Sequence, residues 1–96
     1  MDNPLPQTDT IADEESGDWN LVVKMYTSDG PEKGYLDLYL YRGRNRELVD
    51  RRVGPGSESG NLITTLISKV PNEATRDDLQ KRFGRAFAAY LLRDKK

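Results

Sequence analysis

The sequence predicts an α+β fold: a three-stranded antiparallel β-meander with two C-terminal helices packed on one face, preceded by a disordered acidic N-terminal tail. Three observations carry this. Tyr35 to Arg42, YLDLYLYR, alternates leucine with polar or tyrosine residues, the period of a half-buried strand. Turn-forming stretches separate it from apolar runs on either side. Beyond Gly60 the apolar spacing changes from two to that of a helix,.

WNLVVKMYT, Trp19 to Thr27, is β-branched and aromatic and reads as the first strand. SDGPEKG, Ser28 to Gly34, combines Asp-Gly, Pro and Gly, which is turn chemistry. Tyr35 to Arg42 is the second strand. A short Gly43–Asn45 turn leads to a third, RELVDRRV, Arg46 to Val53. Short turns between neighbours imply antiparallel pairing. On this reading Leu36, Leu38 and Leu40, with Leu21, Val23 and Met25, line the buried face, and Val49 and Val53 join them from the third strand.

NLITTLISKV places Leu62, Ile63, Leu66, Ile67 and Val70 at helical spacing, with Ser59 or Asn61 as N-cap candidates and Pro71 as the stop,. A second helix runs from Thr75, a candidate N-cap, to the C-terminus. Leu79, Phe83, Ala86, Phe87, Tyr90 and Leu91 form its apolar stripe. Asp77 and Asp78 suit its positive start, and Arg93, Lys95 and Lys96 its negative end,. Lys81, Arg82 and Arg85 make a solvent-facing basic stripe.

Residues 1–18 hold six acidic side chains and no Lys or Arg. Their only sizeable apolar side chains besides Met1 are Leu5 and Ile11, too little burial to offset ordering. They read as an acidic tail, and residues 19–96 as a single βββαα domain. The domain carries 15 basic and 10 acidic residues, so a chain of net charge −1 contains a body of +5. A basic body can meet an anionic partner, and the tail can compete for that surface.

VGPGSESGNLI, Val53 to Ile63, looks like a phosphate cradle. A Walker loop would need glycine at Pro55 and lysine at Asn61; a dinucleotide loop would need its third glycine at Ser59,. The expectation is a strand-to-helix connector. The chain has no cysteine and no histidine. Disulfides, thiolate chemistry, zinc–thiolate sites and imidazole bases or ligands are therefore absent. Asp37 stands alone among tyrosines and reads as an ordinary solvated carboxylate. The sequence predicts no enzyme, no catalytic residue, no metal and no cofactor. No bilayer-length apolar run or hydrophobic leader is present, so the expected setting is cytoplasmic, without a membrane partner.

The second face of the predicted sheet carries what is left. It should present Tyr26, Tyr35, Tyr39 and Tyr41 with Lys24, and alternation sends Arg52 outward beside them while Arg51 turns toward the helices. Arg42, Arg44 and Arg46 add a basic hairpin. Tyrosine and arginine dominate interface hot spots. The expected function is a non-enzymatic protein-interaction module, adaptor- or inhibitor-like, that binds a protein partner with Tyr39, Tyr41 and Arg52 as anchors. The alternative is a nucleic-acid-binding domain on the same face and hairpin, since tyrosines stack bases and a two-stranded ribbon fits the major groove; the tail would then modulate affinity. Monomer and homodimer both remain open, because a three-stranded sheet has free edges.

Overall fold

The structure is a computed structural model, and it describes residues 8–26 and 34–93. Four strands form one antiparallel sheet in the order β1 (Thr8–Ser16), β2 (Trp19–Tyr26), β3 (Tyr35–Arg42) and β4 (Glu47–Pro55). A 3-10 turn, Gly56–Glu58, leads into α1 (Ser59–Ile67), and α2 (Glu73–Arg93) follows. The α+β class, the antiparallel sheet and the two C-terminal helices are as the sequence predicts. The strand count is not: the described residues form four, because residues 8–16 of the expected acidic tail pair with β2. Thr27, the predicted Ser28–Gly34 turn up to residue 33, residues 1–7 and residues 94–96 lie outside the described residues.

β1 forms although it is rich in acids, because Asp13, Glu14 and Glu15 each find a partner. Ala12 is buried opposite Val23, and Ile11, the extra residue at a register shift, packs against the core. Glu14 reaches Arg82 of α2 (3.4 Å) and Ser16 Oγ donates to Asp78 Oδ2 (2.8 Å). Glu15 meets Arg46 (3.5 Å), and Asp13 accepts from Asn20 Nδ2 (3.0 Å). The turn to β2 is Gly17-Asp18, between the paired Ser16 and Trp19. Gly17 has φ +59°, the left-handed backbone that a two-residue hairpin turn requires.

The leucine side of the sheet is the core. Leu21, Val23, Met25, Leu36, Leu38 and Leu40 are buried beneath Ile63, Leu66 and Ile67 of α1, Val70, and Leu79 and Phe83 of α2. α1 lies over β3 and β4, and α2 over β1. Leu91, expected in the α2 stripe, is exposed. α2 begins two residues before the predicted cap: Asn72 Oδ1 accepts the Thr75 N–H (3.0 Å) and so takes the capping role,. α1 has no side-chain cap; the 3-10 turn runs straight into it.

β4 departs from the predicted alternation. Leu38 lies opposite Arg52, Tyr39 opposite Arg51, and Asp37 opposite Val53. Directly opposed residues share a face. Arg52 therefore lies on the helix side and Arg51 on the tyrosine side, the reverse of the expectation. Val49 and Val53 do not join the core; they are 42% and 52% exposed. Two features reward this phase. Gly54, opposite Leu36, sits beneath Leu62 of α1 so closely that a Cβ would lie 3.0 Å from its Cδ2. Arg51 gains access to Asp37. A bulge at Val49, between the Leu40–Asp50 and Tyr41–Leu48 pairs, then returns Leu48 to the tyrosine side,.

Candidate interaction surface

The face opposite the helices is organised around Asp37. Its neighbours across the strands are Lys24 on β2 and Val53 on β4. Although no helix among the described residues covers this side, Asp37 is 0% exposed. Tyr26 Oη and Tyr39 Oη both donate to its Oδ2, at 3.0 and 2.6 Å. Arg51 closes on it with two parallel bonds, Nε to Oδ1 (2.8 Å) and Nη2 to Oδ2 (2.9 Å). A fork-on-carboxylate pair of this kind combines charge with fixed geometry.

Burial pushes the Asp37 carboxyl upward, but the hydrogen bonds from Arg51, Tyr39 and Tyr26 outweigh it and hold the group below the usual carboxylate range,. The same bonds act in reverse on the donors. Tyr39 is pushed up to about 12, first by its hydrogen bond to Asp37 and then by burial and the adjacent charge. Tyr26 is raised by the same bond, and Arg51 is held still more firmly in its charged form by Asp37. A carboxylate that is saturated with donors and shielded from water is unsuited to general-base work. It is a structural anion that fixes the three side chains around it.

Those side chains build the outer surface. The Tyr39 and Tyr41 rings lie parallel, 5° apart in plane with centroids at 6.0 Å. Lys24 Nζ lies 5.6 Å from the Tyr39 centroid and Arg51 Cζ 5.0 Å from it, so two cations border one ring. Tyr35, Leu48 and Val53 are exposed on the same face. The result is an aromatic and aliphatic platform with cations set into it.

Five of the nine predicted binding residues meet here: Lys24, Tyr26, Tyr35, Tyr39 and Tyr41. The other four do not. Arg52 pairs with Asp50 on the helix side (3.2 Å). Arg42 lies on that side too, with its guanidinium 5.3 Å from the Trp19 ring. Arg44 and Arg46 line a shallow cleft of about 280 Å³ between the two hairpin tips, together with Glu15, Asn20 and Gly43. Arg46 is engaged by Glu15 there. Asn20 donates to Asp13 and to the Glu14 carbonyl, while its buried Oδ1 accepts nothing among the described residues.

Sequence reasoning missed Arg51, Leu48 and Val53 and took Asp37 for a solvated residue. Asp37 carried one available signal: a lone acid in a tyrosine-lined strand two residues from each of Tyr35 and Tyr39. The phase of β4 carried none, because Arg51 and Arg52 are adjacent and chemically identical.

Among the described residues no three Asp or Glu side chains converge as a metal site, and no helix is long and apolar enough to cross a membrane. Comparison with known proteins matches no family model, no curated protein and no solved structure.

Proposed function

We propose that the protein is a non-enzymatic interaction module that binds a protein partner through the tyrosine face. The observation that carries this reading is the rigid, helix-free platform of Tyr39 and Tyr41, bordered by Lys24 and Arg51 and continued by exposed Leu48 and Val53. Aromatic side chains with few rotatable bonds, pre-ordered before binding, lose little entropy on contact. Asp37 does the pre-ordering.

Charge favours a protein over a nucleic acid. Because β1 belongs to the sheet, the relevant body begins at Thr8, and from there the chain carries 15 basic and 15 acidic residues. Arg51, Arg46 and Arg52 are each engaged by a carboxylate. Nucleic-acid affinity comes largely from cations free to neutralise phosphates. The stacked tyrosines between two cations support single-strand stacking as the second reading.

Two measurements test the pair. Affinity capture with the full chain should recover a partner that Tyr41→Ala loses and that Lys81→Ala, on the far surface, retains; equal recovery by both variants removes the tyrosine face from consideration. Anisotropy titrations with labelled single-stranded DNA and RNA should show weak binding at low salt. Tight binding with a steep log–log salt slope would favour the nucleic-acid reading instead.

A further inference from the structure

The outer edge of β4 has no strand beside it among the described residues, and three of its apolar side chains, Leu48 (53%), Val49 (42%) and Val53 (52%), are exposed. Exposed apolar edges pair readily, and proteins ordinarily blunt them. Here the blunting is peculiar. The Arg51 backbone N–H donates to Asp50 Oδ1 (2.9 Å), which places that N–H among the groups of the free edge. Asp50 Oδ2 meanwhile holds Arg52 Nε (3.2 Å). One carboxylate thus supplies, from within the chain, an acceptor for an edge amide and a counter-ion for an edge cation. A neighbouring strand would supply the same two things.

We propose that β4 is a self-pairing edge, on which two copies of this chain join antiparallel with Arg51 at the two-fold axis to form a continuous eight-stranded sheet. The strand reads Val49-Asp50-Arg51-Arg52-Val53. Laid against itself with Arg51 opposite Arg51, it sets Asp50 against Arg52 of the second copy, twice, on the helix side. On the tyrosine side it sets Val49 against Val53, also twice. Opposed residues share a face, so acid meets base and apolar meets apolar. The Arg51 N–H, already at the edge, then donates to the Arg51 carbonyl of the second copy. The one like-charge pair, Arg51 with itself, is relieved because each guanidinium is drawn inward onto its own Asp37.

The register is specific. A shift of two residues one way sets Asp50 against Asp50, and two the other way sets Arg52 against Arg52; a shift of one puts opposed side chains on different faces. Since Asp50 already serves the edge within one chain, association exchanges bonds more than it adds them, and a reversible dimer follows. The inference is independent of what the tyrosine face binds, though it would bring two such faces into one surface.

The test is a charge swap read by sedimentation of the full chain over a concentration series, with circular dichroism to verify folding. The unmodified protein should show a reversible monomer–dimer equilibrium. Asp50→Arg and Arg52→Asp should each raise the dissociation constant about tenfold or more, because two attractive pairs become repulsive. The double variant D50R/R52D should return to the unmodified value. A protein that is monomeric at its highest soluble concentration overturns the proposal, as do folded single variants that dimerise normally or a folded double variant that stays weak. Amide exchange on the unmodified chain is a second arm that needs no variant. Protection at Arg51 should rise with protein concentration, and a dimer in which it does not is built on another surface.

Discussion

The two faces of this sheet are held together by opposite means, and β3 contributes to both. On one side Leu36, Leu38 and Leu40 vanish beneath two helices. On the other Asp37 is equally hidden, yet by three polar side chains of the sheet itself. The helix side is stabilised by removal of apolar surface from water, which is non-directional and tolerant of small shifts in angle. The tyrosine side is stabilised by a charged network whose worth depends on every bond being made. The first makes the domain fold. The second determines which side chains stand still at its open surface. The contrast teaches that a face without a covering layer can still own a buried residue, provided the residue's partners come from neighbouring strands.

The contrast can be broken from either side, and the largest effect should come from the core. Leu38→Ala should lower unfolding free energy by about 2–5 kcal/mol, measured by urea denaturation, while leaving the tyrosine platform's chemistry intact in whatever remains folded. Asp37→Asn should cost less, about 1.5–3 kcal/mol, because Tyr26, Tyr39 and half-exposed Arg51 can turn to water. Its signature is in binding: Tyr39 and Arg51 lose their fixed positions, so partner capture should weaken beyond what the stability loss explains. If Asp37→Asn is as damaging as Leu38→Ala, the polar network contributes to folding on the same scale as the core, and the division drawn between the faces fails.

Acid should act on the tyrosine side through Asp37, and also where α2 meets β1, since hydrogen bonds from Ser16 and Arg82 hold the Asp78 carboxyl low as well. The folded Asp37 titrates below its ordinary value of 3.8. Its contribution is therefore complete above that value and is lost as pH falls through the lowered folded one. Urea midpoints of the unmodified protein should drop toward those of Asp37→Asn below about pH 4, and the two should differ most near neutrality. At the alkaline end the sign reverses. Tyr39 is raised from 10.0 to about 12, so the stability it lends is present below pH 10 and is lost as pH rises through 12. Phenolate absorbance should contain a late component near pH 12 that Tyr39→Phe removes.

The smallest stability effect should follow Tyr41→Ala. Tyr41 stacks on Tyr39 but makes no bond to Asp37, so unfolding should change by no more than about 1 kcal/mol, while partner capture falls sharply. A large stability loss would show that the stack supports the sheet rather than presenting a surface.

Much of the architecture could be read from residues alone, for an identifiable reason. The alternation of Tyr35–Arg42 and the helical spacing after Gly60 are local patterns that burial on one side enforces. The leucine face followed directly. β1 escaped because its acids look like those of a solvated tail, and the partners of Glu14 and Glu15, Arg82 and Arg46, come from elsewhere in the chain, as does Asp78, which accepts from Ser16. One local signal was present: Gly17-Asp18 between Ser16 and Trp19 is a two-residue hairpin turn,. The Asn72 cap and the close approach of Leu62 over Gly54 likewise needed the helices in place.

The identity of each face was thus inherent in the strand and helix periods, since period two or 3.6 decides which side chains share a side before any contact forms. The choice between Arg51 and Arg52, the recruitment of an acidic segment as a fourth strand, and the conversion of Asp37 from solvated residue to buried anchor depended on pairing across strands. Each of these is settled by register and by charges distant in sequence, and interactions of that kind leave no period for a linear reading to find.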